Sequence, residues 1–208
     1  MQKRSDQVTE SIKKDVVISG VGGQGNILAS LVLGRFAMSK GLNILGTESI
    51  GAAQREGPVV SHVRISSGQI YSPLIPDRQA DVLVGMEELE TIRHIRRLNP
   101  NGTYLINLHR VPTALCNMGL DKYPDEDAIL NAFARYCPNG YSIRASEIAK
   151  SIGDLIYTNM VILGALTKIY PFFEKEAIRE IAGQEVPKRA YDKCMQAFAA
   201  GYEEVKAL

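Results

Sequence analysis
The residues with the clearest chemical potential lie between Asp15 and Asn26, in the run DVVISGVGGQGN. Gly20, Gly22, Gly23 and Gly25 crowd into six positions there, with Gln24 among them. Gly20, Gly22 and Gly25 fit G-x-G-x-x-G, in which one glycine turns the chain, one lets a ligand approach the backbone and one lets helix and strand pack closely. Amides at the start of the following helix favour an anion, usually a phosphate, and Gln24 adds a side chain that both donates and accepts. A turn of this kind also serves only to pack a helix on a sheet, with Gln24 tying it to a neighbouring loop. Further on, Glu48 stands where dinucleotide sites place a ribose-binding acid. Arg55, in a polar loop between Gly51 and Pro58, offers a fork of donors for a phosphate or carboxylate; its alternative is a surface ion pair with Glu56 or with another subunit. His62 and Arg64 share one side of a strand, which faces either a partner or solvent.

The elements that must position these residues are readable from periodicity. Asp15 to Ser19 is a β-branched run of a buried strand, and Ile27, Leu28, Leu31, Val32 and Phe36 then repeat at helical spacing, with Gly41 as the stop. That helix is expected to be long and amphipathic. Asn43 to Gly46 is a short second strand ending at Thr47-Glu48-Ser49, so strand, helix and strand form a parallel crossover unit. Val59 to Ser66 alternates as a strand, and Ser67-Gly68 turns the chain toward Gln69-Ile70-Tyr71, which suggests a hairpin. Asp81 to Gly85 is a buried strand, Glu87 to Leu98 a helix with acids early and arginines late, stopped by Asn99-Pro-Asn-Gly102, and Thr103 to Leu108 the next strand. A helix around Asp127 to Tyr136 and a last short strand at Tyr141 to Arg144 follow. Asp154 to Tyr170 is too apolar for an exposed helix and belongs in the core or against another subunit; it is the candidate for subunit contact. Val186 to Val205 is a final amphipathic helix. The expected architecture is a single α/β domain, residues 15–208, after an N-terminal tail of residues 1–14: a Rossmann-like, mainly parallel sheet with a β-hairpin excursion and helices on both faces.

Size and charge bound the function. A chain of 208 residues, 45% hydrophobic, can bury one good core, and a formal charge of +1 provides no overall field for nucleic acid or an anionic membrane. The first residues lack an apolar signal segment and no stretch reaches the roughly 20 apolar residues of a membrane span, so a soluble cytoplasmic protein is expected. Cys116, Cys137 and Cys194 are far apart and odd in number. They read as three buried thiols, neither a disulfide framework nor an iron–sulfur spacing. His94 and His109 are isolated and structural, and no metal site is assigned.

Four stretches in order, GVGGQG at Gly20 to Gly25, AQREGPVVSHVRIS at Ala53 to Ser66, DVLVGMEELE at Asp81 to Glu90 and NPNGTYLIN at Asn99 to Asn107, carry a resemblance to a known family. The chain resembles the gamma component of 2-oxoacid:ferredoxin oxidoreductases, and in its Ala53-Gln54-Arg55 and Ser61 to Arg64 wording most resembles the beta subunit of indolepyruvate ferredoxin oxidoreductase. The resemblance implies oxidative decarboxylation of a 2-oxoacid, with acyl transfer to coenzyme A and electrons passed to ferredoxin. It also implies an incomplete enzyme: thiamine diphosphate and iron–sulfur clusters are expected on a larger partner subunit, because this chain lacks the cysteine clusters, and its Gly153-Asp154 pair is not followed by paired asparagines. No catalytic residue is assigned to this chain. Its part is to close the active site and contact coenzyme A through Gly20, Gly22, Gly23, Gln24, Gly25 and Arg55; once isolated, it can form a homodimer through surface meant for the partner. Two other readings stay open: a free-standing dinucleotide-binding oxidoreductase, for which Glu48 argues, and a non-catalytic assembly subunit whose glycine turn is purely structural.

Overall fold
A computed structural model describes residues 11–51 and 57–208. Seven strands, β1 (Lys13–Val21), β2 (Asn43–Ile50), β3 (Pro58–Ser66), β4 (Ala80–Gly85), β5 (Leu98–Asn107), β6 (Gly140–Ile143) and β7 (Lys206–Ala207), form one sheet in the order β2-β3-β1-β4-β5-β6-β7. The helices are α1 (Asn26–Ser39), α2 (Glu88–Arg93), α3 (Ala114–Asn117), α4 (Glu126–Tyr136), α5 (Ala145–Ile152), α6 (Thr158–Ile169), α7 (Lys175–Gln184) and α8 (Tyr191–Glu204). β1, β4, β5 and β6 are parallel neighbours, β3 is antiparallel to both β1 and β2, and β7 is antiparallel to β6. β2 therefore points the same way as β1, and the sheet is mainly parallel and Rossmann-like with helices on both faces. Alternation along β1 divides the interior. Val16 and Ile18 join the core beneath α1, α6 and α8, whereas Val17 joins the core beneath α4.

The first crossover differs from expectation, because β3 occupies the place beside β1 that a simple unit gives to β2. Burial explains the exchange: Val59 to Val63 are buried without a break, as an interior strand requires, while five of the eight residues of β2 are exposed, as an edge strand allows. The hairpin is accordingly β2 with β3. Residues 69–71 form no strand; Pro73 and Pro76 lack amide donors, and the segment crosses the sheet as a strap. Its carbonyls at Ser72 and Leu74 accept from Arg64 Nη1 at 3.0 and 3.3 Å, and buried Ile75 donates its N–H to His62 Nδ1 at 3.2 Å. His62 and Arg64 do share a side, but that side meets the strap and the buried Asp15 carboxylate, which accepts from Arg64 Nε and Nη2 at 2.9 and 3.1 Å.

Other boundaries moved for local reasons. The helix after β4 ends at Arg93, a 3-10 turn covers Ile95–Arg97, and Asn99 to Gly102 lie inside β5 as a bulge opposite Ala80 to Val82. Gly102 fits there because a Cβ would come within 2.8 Å of the Asp81 carbonyl. β1 begins at Lys13, two residues before the expected strand; most of the expected tail, residues 1–10, lies outside the described residues. Residues 158–167 of α6 are all buried within this chain, so that part of the expected Asp154 to Tyr170 segment belongs to the core, whereas Leu155 and Ile156 in the 3-10 turn before it are exposed. α1 has the expected length but leaves Ile27, Leu31 and Met38 exposed, lining a groove between the helix and the edge strand β2. Among the described residues, no helix is long and apolar enough to cross a membrane.

Candidate functional site
β1 runs into the glycine turn, and the structure assigns each residue of that turn a task. Gly20 has no room for a side chain, because a Cβ would lie 2.7 Å from Met86 Cβ and 2.6 Å from Gln24 Oε1. Gly22 donates its N–H to the Gly57 carbonyl at 2.9 Å. Gln24 Oε1 accepts from Val21 N–H at 2.9 Å, so its carbonyl closes its own turn. Gly25, at φ 85°, is the residue before α1, and a Cβ there would collide with the Asn159 side chain of α6. Gly23, at φ 95°, is exposed with open space around it. Packing thus accounts for Gly20 and Gly25 and turn closure for Gln24. Neither packing nor turn closure accounts for Gly23, and the start of α1 has no side-chain cap. Arg55 lies outside the described residues; on either side of residues 52–56, Gly51 donates its N–H to the Pro58 carbonyl of β3 at 2.9 Å and the Gly57 carbonyl accepts from Gly22 in the turn.

Beside the turn lies a crevice of about 470 Å³ at the carboxyl ends of β1 and β4. The chain leaves β1 toward β2 on one side and later adds β4 on the other, so this is the topological switch point, where open α/β sheets bind ligands. Val21 and Pro58 form one wall, Glu87, Glu90 and Arg93 another, and the segment 111–124 the third. Glu87 organises it. Only 1% exposed, it accepts from Glu90 N–H at 2.8 Å as the cap of α2, from Val111 N–H at 3.1 Å, and from the Tyr123 hydroxyl. Burial, then the hydrogen bond to Glu87, pushes the Tyr123 hydroxyl far above its usual range. Burial likewise raises the carboxyls of Glu88 and Glu90, opposed by Arg110 at 3.4 Å and Arg93 at 2.8 Å respectively. The crevice therefore presents both signs of charge over a rigid frame, suited to holding and covering a ligand. Sequence reasoning read Glu87 only as a helix acid and passed over Tyr123; the available signal was the acid directly after a buried strand, three residues before Glu90.

Glu48 is elsewhere. It lies on the edge strand β2 and accepts from Ser30 Oγ at 3.0 Å, with β3 between it and β1. The acid of a dinucleotide site sits on the strand next to the first, so the insertion of β3 removes the argument for that reading. The described residues also do not fit an iron–sulfur cluster: Cys137 and Cys194 belong to the cores on opposite faces of the sheet. Cys116 is half-buried at the crevice, not a core thiol, with Thr113 Oγ1 3.2 Å from its sulfur.

His62 yields a pH prediction. Burial, reinforced by Arg97, His94 and Arg64, pulls its pKa down to about 4, and the neutral ring accepts the Ile75 amide. Below about pH 6.5 the unfolded chain gains a proton at this site that the folded chain refuses until about pH 4. Stability is therefore lost as pH falls through that window. Urea midpoints measured from pH 7 to 4.5 are expected to fall more steeply for the wild type than for His62→Gln; parallel slopes would remove His62 as the cause.

Comparison with known proteins follows the same outline. The sequence pattern of the family described as Pyruvate ferredoxin/flavodoxin oxidoreductase matches residues 15–204. The chain is 34% identical over 194 residues to the indolepyruvate oxidoreductase subunit IorB of Archaeoglobus fulgidus, covering 93% of this chain and 96% of that one. It is 31% identical over 199 residues to the 2-oxoglutarate synthase subunit KorC of Methanocaldococcus jannaschii, covering 95% and 96%. The crystal structure of the pyruvate oxidoreductase subunit PORC of Thermotoga maritima shares the fold, with a TM-score of 0.68 at 23% identity over 94% of this chain and 98% of that one.

Proposed function
The chain belongs to the pyruvate ferredoxin/flavodoxin oxidoreductase family, and from that membership we propose that it is the small subunit of a 2-oxoacid:ferredoxin oxidoreductase acting on an aryl pyruvate such as indolepyruvate. The observation that carries the reading is the switch-point crevice, walled by Val21 at the end of β1, with the exposed glycine Gly23 and an uncapped helix start following directly in the chain. The aryl substrate is favoured by the IorB relatives, of which the Archaeoglobus fulgidus protein is 34% identical to this chain. A larger partner subunit holds thiamine diphosphate and the iron–sulfur clusters, and ferredoxin receives the electrons. The thiamine group supplies the decarboxylation chemistry when bound on that partner. This chain covers the reacting centre with the crevice, excludes water from it, and offers the amides of Gly23 and Gly25 to a phosphate of coenzyme A, with Arg55 as a second donor; the Gln24 amide is already donated to the Val21 carbonyl.

Gly23→Val tests the reading. A Cβ at Gly23 meets no neighbour within 4 Å and the position is exposed, so the main cost is the strain of a left-handed backbone, about 1–2 kcal/mol, and the variant is expected to fold and assemble. In the purified complex, acyl transfer to coenzyme A is expected to fall by about tenfold or more while 2-oxoacid decarboxylation is retained. Equal loss of both steps would count against a coenzyme A contact, and unchanged transfer would favour the purely structural turn, a reading that the Gln24–Val21 bond and the Gly25–Asn159 contact support.

A further inference from the structure
On the far lip of the crevice, the segment from Val111 to Leu120 has no charged residue, and within it Leu115, Met118 and Leu120 are 53, 71 and 74% exposed. Large apolar side chains that dense and that exposed mark a contact surface. The segment is also held rigid. One buried carboxylate, that of Glu87, accepts from Val111 N–H at one end and from the Tyr123 hydroxyl at the other. Inside it, Thr113 caps α3 by accepting from Cys116 N–H at 3.3 Å, and Gly119, at φ 71°, closes the helix with Leu120 N–H on the Leu115 carbonyl at 2.9 Å. Charged Arg110, Asp121 and Lys122 flank it, giving the apolar centre and polar rim of an interface. A loop ordered before binding loses little entropy on docking.

We propose that residues 113–120 form a docking knob that enters an apolar hollow on the larger, thiamine diphosphate-bearing subunit, and so seats that subunit over the crevice. The proposal rests on the subunit reading above. A second copy of this chain is the poorer occupant. A two-fold contact sets the same patch against itself, and two protruding knobs are not complementary; knob into the groove between α1 and β2 would be head-to-tail and would not close. Because Leu115 and Cys116 line the crevice while Met118 and Leu120 point outward, a subunit gripping the knob necessarily covers the crevice.

The test uses tagged full-length chain, expressed in its native host and purified anaerobically as wild type, as Met118→Asp/Leu120→Asp, as the milder Met118→Gln, and as Ile27→Asp in the α1 groove. The partner is scored by its thiamine diphosphate and iron–sulfur content and by 2-oxoacid-dependent ferredoxin reduction. The double variant is expected to lose recovery of that partner by at least about tenfold, with Met118→Gln intermediate, Ile27→Asp near wild type, and all melting temperatures unchanged. Full recovery with the double variant, or loss only with Ile27→Asp, would overturn the knob and leave the subunit reading intact. A wild-type chain that recovers no such partner would overturn both, and a wild-type dimer made monomeric by the double variant would assign the knob to a second copy instead.

Discussion

Gly201→Ala is expected to lower the melting temperature of the protein sharply. α6 and α8 cross backbone to backbone: a Cβ at Gly201 would lie 1.9 Å from the Val161 carbonyl oxygen, and one at Gly164 would lie 1.9 Å from that of Phe198. Neither obstacle is a side chain that can rotate away, so the helices must part. Val161, Leu163, Ala165, Ala197 and Phe198, all buried in the same core, would lose contact together. Overpacking at such a point costs more than about 3 kcal/mol. For a chain of this length that corresponds to a fall in melting temperature of about 6–12 °C. Gly119→Ala is the matched control, since its Cβ meets nothing and only the left-handed backbone resists, at about 1–2 kcal/mol. Scanning calorimetry of the two variants decides the matter; a Gly201→Ala protein that melts with the control would mean that the helices can separate freely.

Glu87→Ala is the second large effect, and its mechanism is polar. The substitution strips acceptors from Glu90 N–H, Val111 N–H and the Tyr123 hydroxyl at once, in a place where Glu87 itself is 1% exposed. Losing the cap and leaving buried donors unpaired is expected to cost about 3–5 kcal/mol. Tyr123→Phe removes one partner only and should cost about 1 kcal/mol. Hydrogen exchange gives the signature: the amides of Glu90 and Val111 should lose protection together in Glu87→Ala, although they lie on opposite walls of the crevice. Protection lost at one amide and kept at the other would show that the carboxylate does not join the two walls.

How far the sequence carried these conclusions depends on the range of the interaction. The run from Asp15 to Asn26 announced a strand, a turn and a helix because each signal is local, and the structure returns them within two residues. The place of β3 beside β1 was not legible, since alternation in Val59 to Ser66 says that a strand is buried but not which neighbour buries it. α5 and α7, short but amphipathic at helical spacing, passed unnoticed although their signal is local, and the two-residue β7 is too short to leave one. Of the candidate site, the glycine turn was readable, whereas the bonds from Glu87 to Val111 and Tyr123 span 24 and 36 residues and leave no mark in any short window.

The insertion of β3 also sets a timetable for synthesis. β1 is finished at Val21, yet its neighbours β3 and β4 end only at Ser66 and Gly85. At about 5–20 residues per second, the 45 residues from Val21 to Ser66 take about 2–9 s to emerge. Throughout that interval Val16, Val17 and Ile18, buried in the finished protein, have no adjoining strand. The nascent chain thus displays this apolar ribbon before either flank exists. In that interval α1 can cover only one face of the ribbon, which leaves the other to the ribosome surface or a chaperone.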